Sequence, residues 1–255
     1  MRCYLPGLTC FCLAATLCAQ PTGTMTPQVQ ILHAYTLAEL GRHGDSVNAF
    51  EQARQTEQQT RPIGGPNEED AALIQERAAY TRALQYTQDC GKDNACMAED
   101  FLAIGKFSEA LSWQKRRLKS IHDGEKTHLR RGEEESGGGI TVRLGDETDS
   151  TGGRSTELAD AYDLQARIEA AMSHQAAALK DLDAALKALP DTKKNVPREA
   201  GYAYHRALIL AENQRYTEAA SACRNSLSID STTATLGERR PLQCAAIEKL
   251  ASGPG

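Results

Sequence analysis

From residue 27 onward, apolar residues recur three or four positions apart in long runs, separated by short polar or glycine-containing breaks. That is the period of a helix, not the alternation of a strand. In TMTPQVQILHAYTLAEL, Val29, Leu32, Leu37 and Leu40 keep to one stripe. Thr26 is placed to cap this helix and Pro27 to open it, where a missing N–H costs nothing. Gly41 and Gly44 end it, and DSVNAFEQARQTEQQ starts a second helix with Asp45 as its cap. After the loop TRPIGGPN, EEDAALIQERAAYTRALQYTQ reads as a long helix with acids at the end the macrodipole favours. Residues 95–104 and 107–121 form the next pair, around the turn in FLAIGKFSEALSWQ. TELADAYDLQARIEAAM pairs with QAAALKDLDAALKALP, in which Leu179, Leu182, Leu186 and Leu189 share a face. REAGYAYHRALILAENQ pairs with YTEAASACRNSLSID, and GERRPLQCAAIEKLAS supplies a last helix. The pattern predicts an all-α chain.

One stretch breaks the pattern. Of the 34 residues from 122 to 155, eight are Gly, and only Leu129, Ile140, Val142 and Leu144 are substantially apolar. So little apolar surface does not offset the entropy of ordering a chain. A flexible Gly-rich linker is expected there, dividing an N-terminal helical region, 20–121, from a C-terminal one, 156–251. Within it ITVRL alternates as a strand would, with THLRR as a candidate hairpin partner.

Aligned on their breaks, the second helices GRHGDSVNAFEQA, GKFSEALSWQKRRL, SHQAAALKDLDAAL and QRYTEAASACRNSL place small residues at Ser46, Ala110, Ala178 and Ala219. The first helices carry Ala34, Ala98, Ala166 and Ala207, each twelve residues earlier. A constant offset in four pairs points to a repeated close approach of two helices. The arrangement resembles the tetratricopeptide repeat, a helix-turn-helix unit of about 34 residues. Successive markers lie 64, 68 and 41 apart, and the first two spacings are close to two periods. The helix at 67–88 would fill one intervening slot and the Gly-rich insertion the other. The chain departs from the family in having Ala for its first-helix Gly. Leu37, Phe101, Glu169 and Leu210 stand at its aromatic position, and the Pro after the second helix is missing or displaced.

The resemblance implies an α-α superhelix, a solenoid interrupted by the Gly-rich linker, whose first helices form a concave groove for a peptide or partner helix. Carried over position by position, the lining is Gln28, Ile31 and Tyr35; Lys92, Ala95 and Glu99; Asp160, Asp163 and Arg167; and Gly201, Tyr204 and Leu208. Tyr35, Lys92, Glu99, Asp163, Arg167, Tyr204 and Leu208 are the side chains expected to meet a partner. One Arg among several acids does not suit the carboxylate-clamp version of the family, which grips a chain terminus.

The N-terminus changes how the rest is read. MRCYLPGLTCFCLAATLCAQPTG has a basic Arg2, an uncharged run from Cys3 to Leu17, and small residues ending at Ala19. It reads as a signal peptide, 1–19, cleaved after Ala19. Lipid attachment at Cys18 is the rival reading, opposed by Leu17 where such signals want a small residue. The apolar run falls short of the roughly 20 residues a span needs, and no other segment could cross a bilayer. The expected location is periplasmic or secreted. Four cysteines then remain, Cys90, Cys96, Cys223 and Cys244, in a compartment that permits disulfides. Of the three connectivities, pairing 90 with 96 and 223 with 244 closes the shortest loops. Zinc favours CxxC-type spacings, which CGKDNAC does not supply.

With a net charge of -5 the chain has no general pull on nucleic acid. The basic run Lys115-Arg116-Arg117 with Lys119 reads as a solvated helix face. No GxSxG, HExxH or GxxxxGK[ST] motif occurs. GDETDSTGG lacks the ligands of a calcium loop, the six histidines show no ligand spacing, and Asp181 and Asp183 point to different helix faces. No catalytic residue, metal or cofactor is implied. The expectation is an exported, non-catalytic scaffold or adaptor of the cell envelope that binds a protein or peptide. The alternative is a small-ligand binder or enzyme with its site between the two helical halves and the linker as a lid.

Overall fold

The computed structural model describes residues 27–60, 68–135, 147–230 and 239–253. Among them ten α-helices and one short 3-10 turn, and no strand, are found. The helices are α1 (Pro27–Glu39), α2 (His43–Thr60), α3 (Glu68–Tyr86), α4 (Asn94–Ala103), α5 (Phe107–Glu135), α6 (Glu147–Ala171), α7 (Gln175–Ala188), α8 (Val196–Glu212), α9 (Tyr216–Ile229) and α10 (Arg239–Ala251). Four antiparallel hairpins, α1–α2, α4–α5, α6–α7 and α8–α9, account for the most extensive helix pairings. The packing of helices in neighbouring pairs is compatible with a helical repeat.

The hairpins share one turn. Seven residues after each first-helix marker the chain enters the left-handed region, at Gly41 (φ 79°), Gly105 (φ 80°), Ser173 (φ 64°) and Gln214 (φ 59°). The next N–H reaches back five residues: Arg42 to the Leu37 carbonyl at 2.9 Å, Lys106 to Phe101 at 2.8 Å, His174 to Glu169 at 2.9 Å, and Arg215 to Leu210 at 3.0 Å. This Schellman-type ending satisfies carbonyls that a helix C-terminus would otherwise leave unpaired. It fixes the angle at which the second helix leaves, and so explains the constant offset of twelve. Ala34, Ser46, Ala98, Ala110, Ala166, Ala178, Ala207 and Ala219 are all 0% exposed. They sit where the two helices cross too closely for a larger side chain. In the first hairpin the contact is a hydrogen bond, from Ser46 Oγ to the Ala34 carbonyl at 2.9 Å.

Several expectations are corrected. Asp45 lies inside the first turn of α2 instead of capping it, and it accepts a hydrogen bond from Arg42 Nε at 2.9 Å. Thr26 lies outside the described residues. The backbone of 122–135 continues α5 and that of 147–155 belongs to α6, so these parts of the expected linker are helical. Glycine weakens a helix by only about 1 kcal/mol per residue, and the Glu, Lys and Arg around Gly124 and Gly132 are good helix formers. THLRR is part of α5 and so is not half of a hairpin, while ITVRL lies outside the described residues.

Consecutive units stack between α4–α5 and α6 as well. Ala98, Leu102 and Ala110 pack with Leu164 and Ile168 of α6 in one cluster. α4 also touches α6, and α6 touches α8. The two ends then meet, with α1 against α8 and α10. Leu40 accordingly belongs to the largest core cluster, with Tyr204, Leu208 and Ile247. Cys90 pairs with Cys96 (Cα–Cα 5.6 Å) and Cys223 with Cys244 (5.5 Å), the one of the three connectivities that closes the shortest loops. Such pairs belong to an oxidising environment outside the cytoplasm. Among the described residues no helix is long and apolar enough to cross a membrane.

Candidate partner-binding surface

The meeting of the ends decides what becomes of the first-helix face. Asp163 is 5% exposed, Tyr204 3% and Leu208 0%, so these three line no open groove. Their partners are the chain's own residues. The Asp163 carboxylate accepts from His205 Nδ1 at 2.7 Å and from Arg167 Nε at 3.2 Å. Burial pushes the pKa of Asp163 up, but His205 and Arg167 together outweigh it and hold the group below the usual carboxylate range. The Tyr204 hydroxyl donates to Gln243 of α10. Its phenol is pushed up by burial first and then by the Glu39 carboxylate of α1. Leu208 lies in the core cluster that Leu40 completes.

The turn after α1 is locked into place by charge. Arg42 pairs through Nη1 with Glu212 at 2.7 Å, at the far end of α8, and its guanidinium lies 5.5 Å from the centre of the Phe107 ring. Gly41 comes so close to α6 that a Cβ there would stand 3.0 Å from Arg167 Nη1. Tyr35 is half-buried, edge-on to Phe50 at 4.9 Å, with the Arg239 guanidinium 5.2 Å above its ring. The predicted residues that remain open are Lys92, in the loop before α4, and Glu99, on α4 itself.

Glu99 and Arg167 do come together, in a cleft of about 470 Å³ between α3, α4, α6 and the first turn. Its floor is apolar, from Ala79, Ala83, Leu102 and Ala103, and its rim carries His43, Arg82, Tyr86, Glu99, Asp100 and Arg167. It opens to solvent. His43 is engaged by Glu76 at 2.6 Å, and Asp100 is raised by burial and then by Glu99. The exposed large apolar side chains among the described residues are Ile74, Leu84 and Tyr86 on α3 and Leu242 on α10. These are the two helices without a hairpin mate. Sequence reasoning passed over α3 because it carries no repeat marker, although its apolar residues on more than one face were a signal.

Arg240 was also missed. It is 2% exposed and donates to Ser226 Oγ at 3.0 Å and to the Asp230 carbonyl at 2.6 Å, tying α10 to α9. Of the expected solvated face, Lys115, Arg116 and Lys119 are exposed and Arg117 is half-buried, with Arg116 4.6 Å from the centre of the Trp113 ring. Comparison of the chain with protein-family models, with curated proteins and with solved structures returned no match.

Proposed function

We propose that the chain is an exported, non-catalytic repeat protein of the tetratricopeptide type that acts as a scaffold or adaptor in the cell envelope. The observation that carries this reading is the shared hairpin, with four equivalent turns and eight fully buried crossing residues. A stack of such units offers extended surface instead of a single reactive pocket. The paired cysteines and the signal-like N-terminus support export. The partner surface is the α3 side and its cleft, because Asp163, Tyr204 and Leu208 are buried within the chain while Glu99 and Arg167 line the cleft. Exposed apolar side chains beside a cleft with a charged rim are what a protein partner needs.

The cleft also favours a second reading. Its volume of about 470 Å³ suits a small ligand, and Arg167 of the C-terminal half closes it against α3 and α4. A photo-crosslinking residue at Tyr86, with the same residue at exposed Lys180 as control, separates the two in living cells. The adaptor reading expects one recurrent protein adduct from position 86 and none from position 180. Adducts from neither position, together with a thermal shift on adding a small-molecule extract, would support the ligand reading.

A further inference from the structure

We propose that the Cys90–Cys96 disulfide is an exchange site for thiols, with Asp100 giving a proton to the departing Cys90 sulfur. This is independent of the adaptor reading, since it rests on how differently the two disulfides are set. Cys223 and Cys244 are 0% and 1% exposed inside the largest core cluster, out of reach of an attacking thiolate. The other bond lies at the surface. Cys96 is half-buried in the first turn of α4, and Cys90 is 8% exposed behind it.

Asp100, one turn along α4 from Cys96, places Oδ2 3.1 Å from Cys90 Sγ. A disulfide sulfur carries no hydrogen, so a hydrogen bond across this contact requires the proton to be on the carboxyl oxygen. Burial, then Glu99, pushes the pKa of Asp100 up, the direction that favours the protonated form. Asp100 also lines the cleft, so a polypeptide lying there would bring a cysteine towards the bond.

The step is balanced by the thiol alone. A thiolate attacks Cys96 Sγ, the sulfur of the less buried residue. A new S–S bond forms there and the Cys90–Cys96 bond breaks, leaving its electron pair on Cys90, which takes the Asp100 proton. In reverse, the Asp100 carboxylate removes that proton and the Cys90 thiolate expels the bound thiol. When a second thiol attacks the mixed disulfide instead, its disulfide leaves and Cys96 departs as a thiolate. The dipole of α4 favours that charge. The substrate class is a thiol, either a small molecule or a cysteine in a polypeptide.

The test incubates the mature, fully oxidised chain with reduced glutathione and, separately, with a reduced cysteine-containing unfolded polypeptide. Samples are quenched in acid over a range of pH and each cysteine is mapped by mass. The Cys90–Cys96 bond should open about a hundredfold or more faster than Cys223–Cys244. Asp100→Asn should slow opening about tenfold or more at fixed thiolate concentration and flatten its pH profile. In Cys90→Ser the adduct should collect on Cys96. The wild-type profile provides the same test without a variant: opening must fall as Asp100 loses its proton. Faster opening with one reagent names the thiol source. Equal resistance of both disulfides, or a pH profile that follows the thiolate alone, would overturn the proposal.

Discussion

Asp163→Ala removes the acceptor that joins α6 to α8. The side chain is 5% exposed and engages His205 Nδ1 at 2.7 Å and Arg167 Nε at 3.2 Å. Stranding the partners of a buried ion pair costs about 3–5 kcal/mol. Here Arg167 and His205 keep 18% and 21% of their side-chain surface in water, so the lower end applies, about 3 kcal/mol. With a urea slope of roughly 2–3 kcal/mol/M the unfolding midpoint should fall by about 1 M. Circular dichroism at neutral pH reads it directly. Asp163→Asn keeps one acceptor and should lose about half as much.

The pH dependence gives a second reading of the same contact. Asp163 is held below its unfolded value of 3.8. Its stabilisation is therefore present above that pH and is lost as pH falls through the lower folded value. The difference between wild type and Asp163→Ala should close over that acid range. A midpoint within about 0.2 M of wild type at neutral pH would refute the reasoning, since Asp163 would then be no interior partner.

Other consequences are smaller. Gln214 sits at φ 59° with its side chain exposed, so Gln214→Gly should stabilise by about 0.5–1 kcal/mol in urea titration, while the equivalent Gly105→Ala should cost about 1 kcal/mol. Glu39 is raised by burial, which outweighs Arg239, so its ionisation penalises the fold once pH rises through the folded pKa. Glu39→Gln should therefore raise the melting temperature by about 2 °C at neutral pH and have no effect below pH 4.5, where the group is protonated in both states. Cys223–Cys244, with a sequence separation of 21, should contribute roughly 3.4 kcal/mol against about 2.4 kcal/mol for the separation of 6 at Cys90–Cys96. Serine replacement of each pair, read by denaturation, checks the order.

Much of the local architecture was legible in the sequence because it depends on short-range geometry. The offset of twelve between Ala34 and Ser46 is set by one turn, and that turn recurs at Gly41, Gly105, Ser173 and Gln214. Loop length put the 90–96 and 223–244 pairing first among three connectivities without deciding it, and the geometry of α4, α9 and α10 selects it. The partner surface was not legible, because burial of Asp163 depends on α6 meeting α8, and that of Tyr204 and Leu208 on α8 meeting α10 and the end of α1. Residues such as Arg42 and Glu212 stand 170 positions apart, and no local pattern links them. The helical ends of the 122–155 segment were hidden because glycine content was read as disorder, although Gly124 lies in open space within α5 and costs only propensity.

Amide hydrogen exchange on the mature chain, resolved by peptide mass, is the most direct test that the repeat closes on itself and leaves the α3 side for a partner. If α1 is seated against α8 and α10, peptides covering 29–40 should exchange as slowly as those covering 203–210. The exposed outer face of α3 should not slow until a partner is added. Exchange of 29–40 that is orders of magnitude faster than that of 203–210 would contradict this. It would mean that α1 is not seated and that the face of α8 around Leu208 is open to a partner after all.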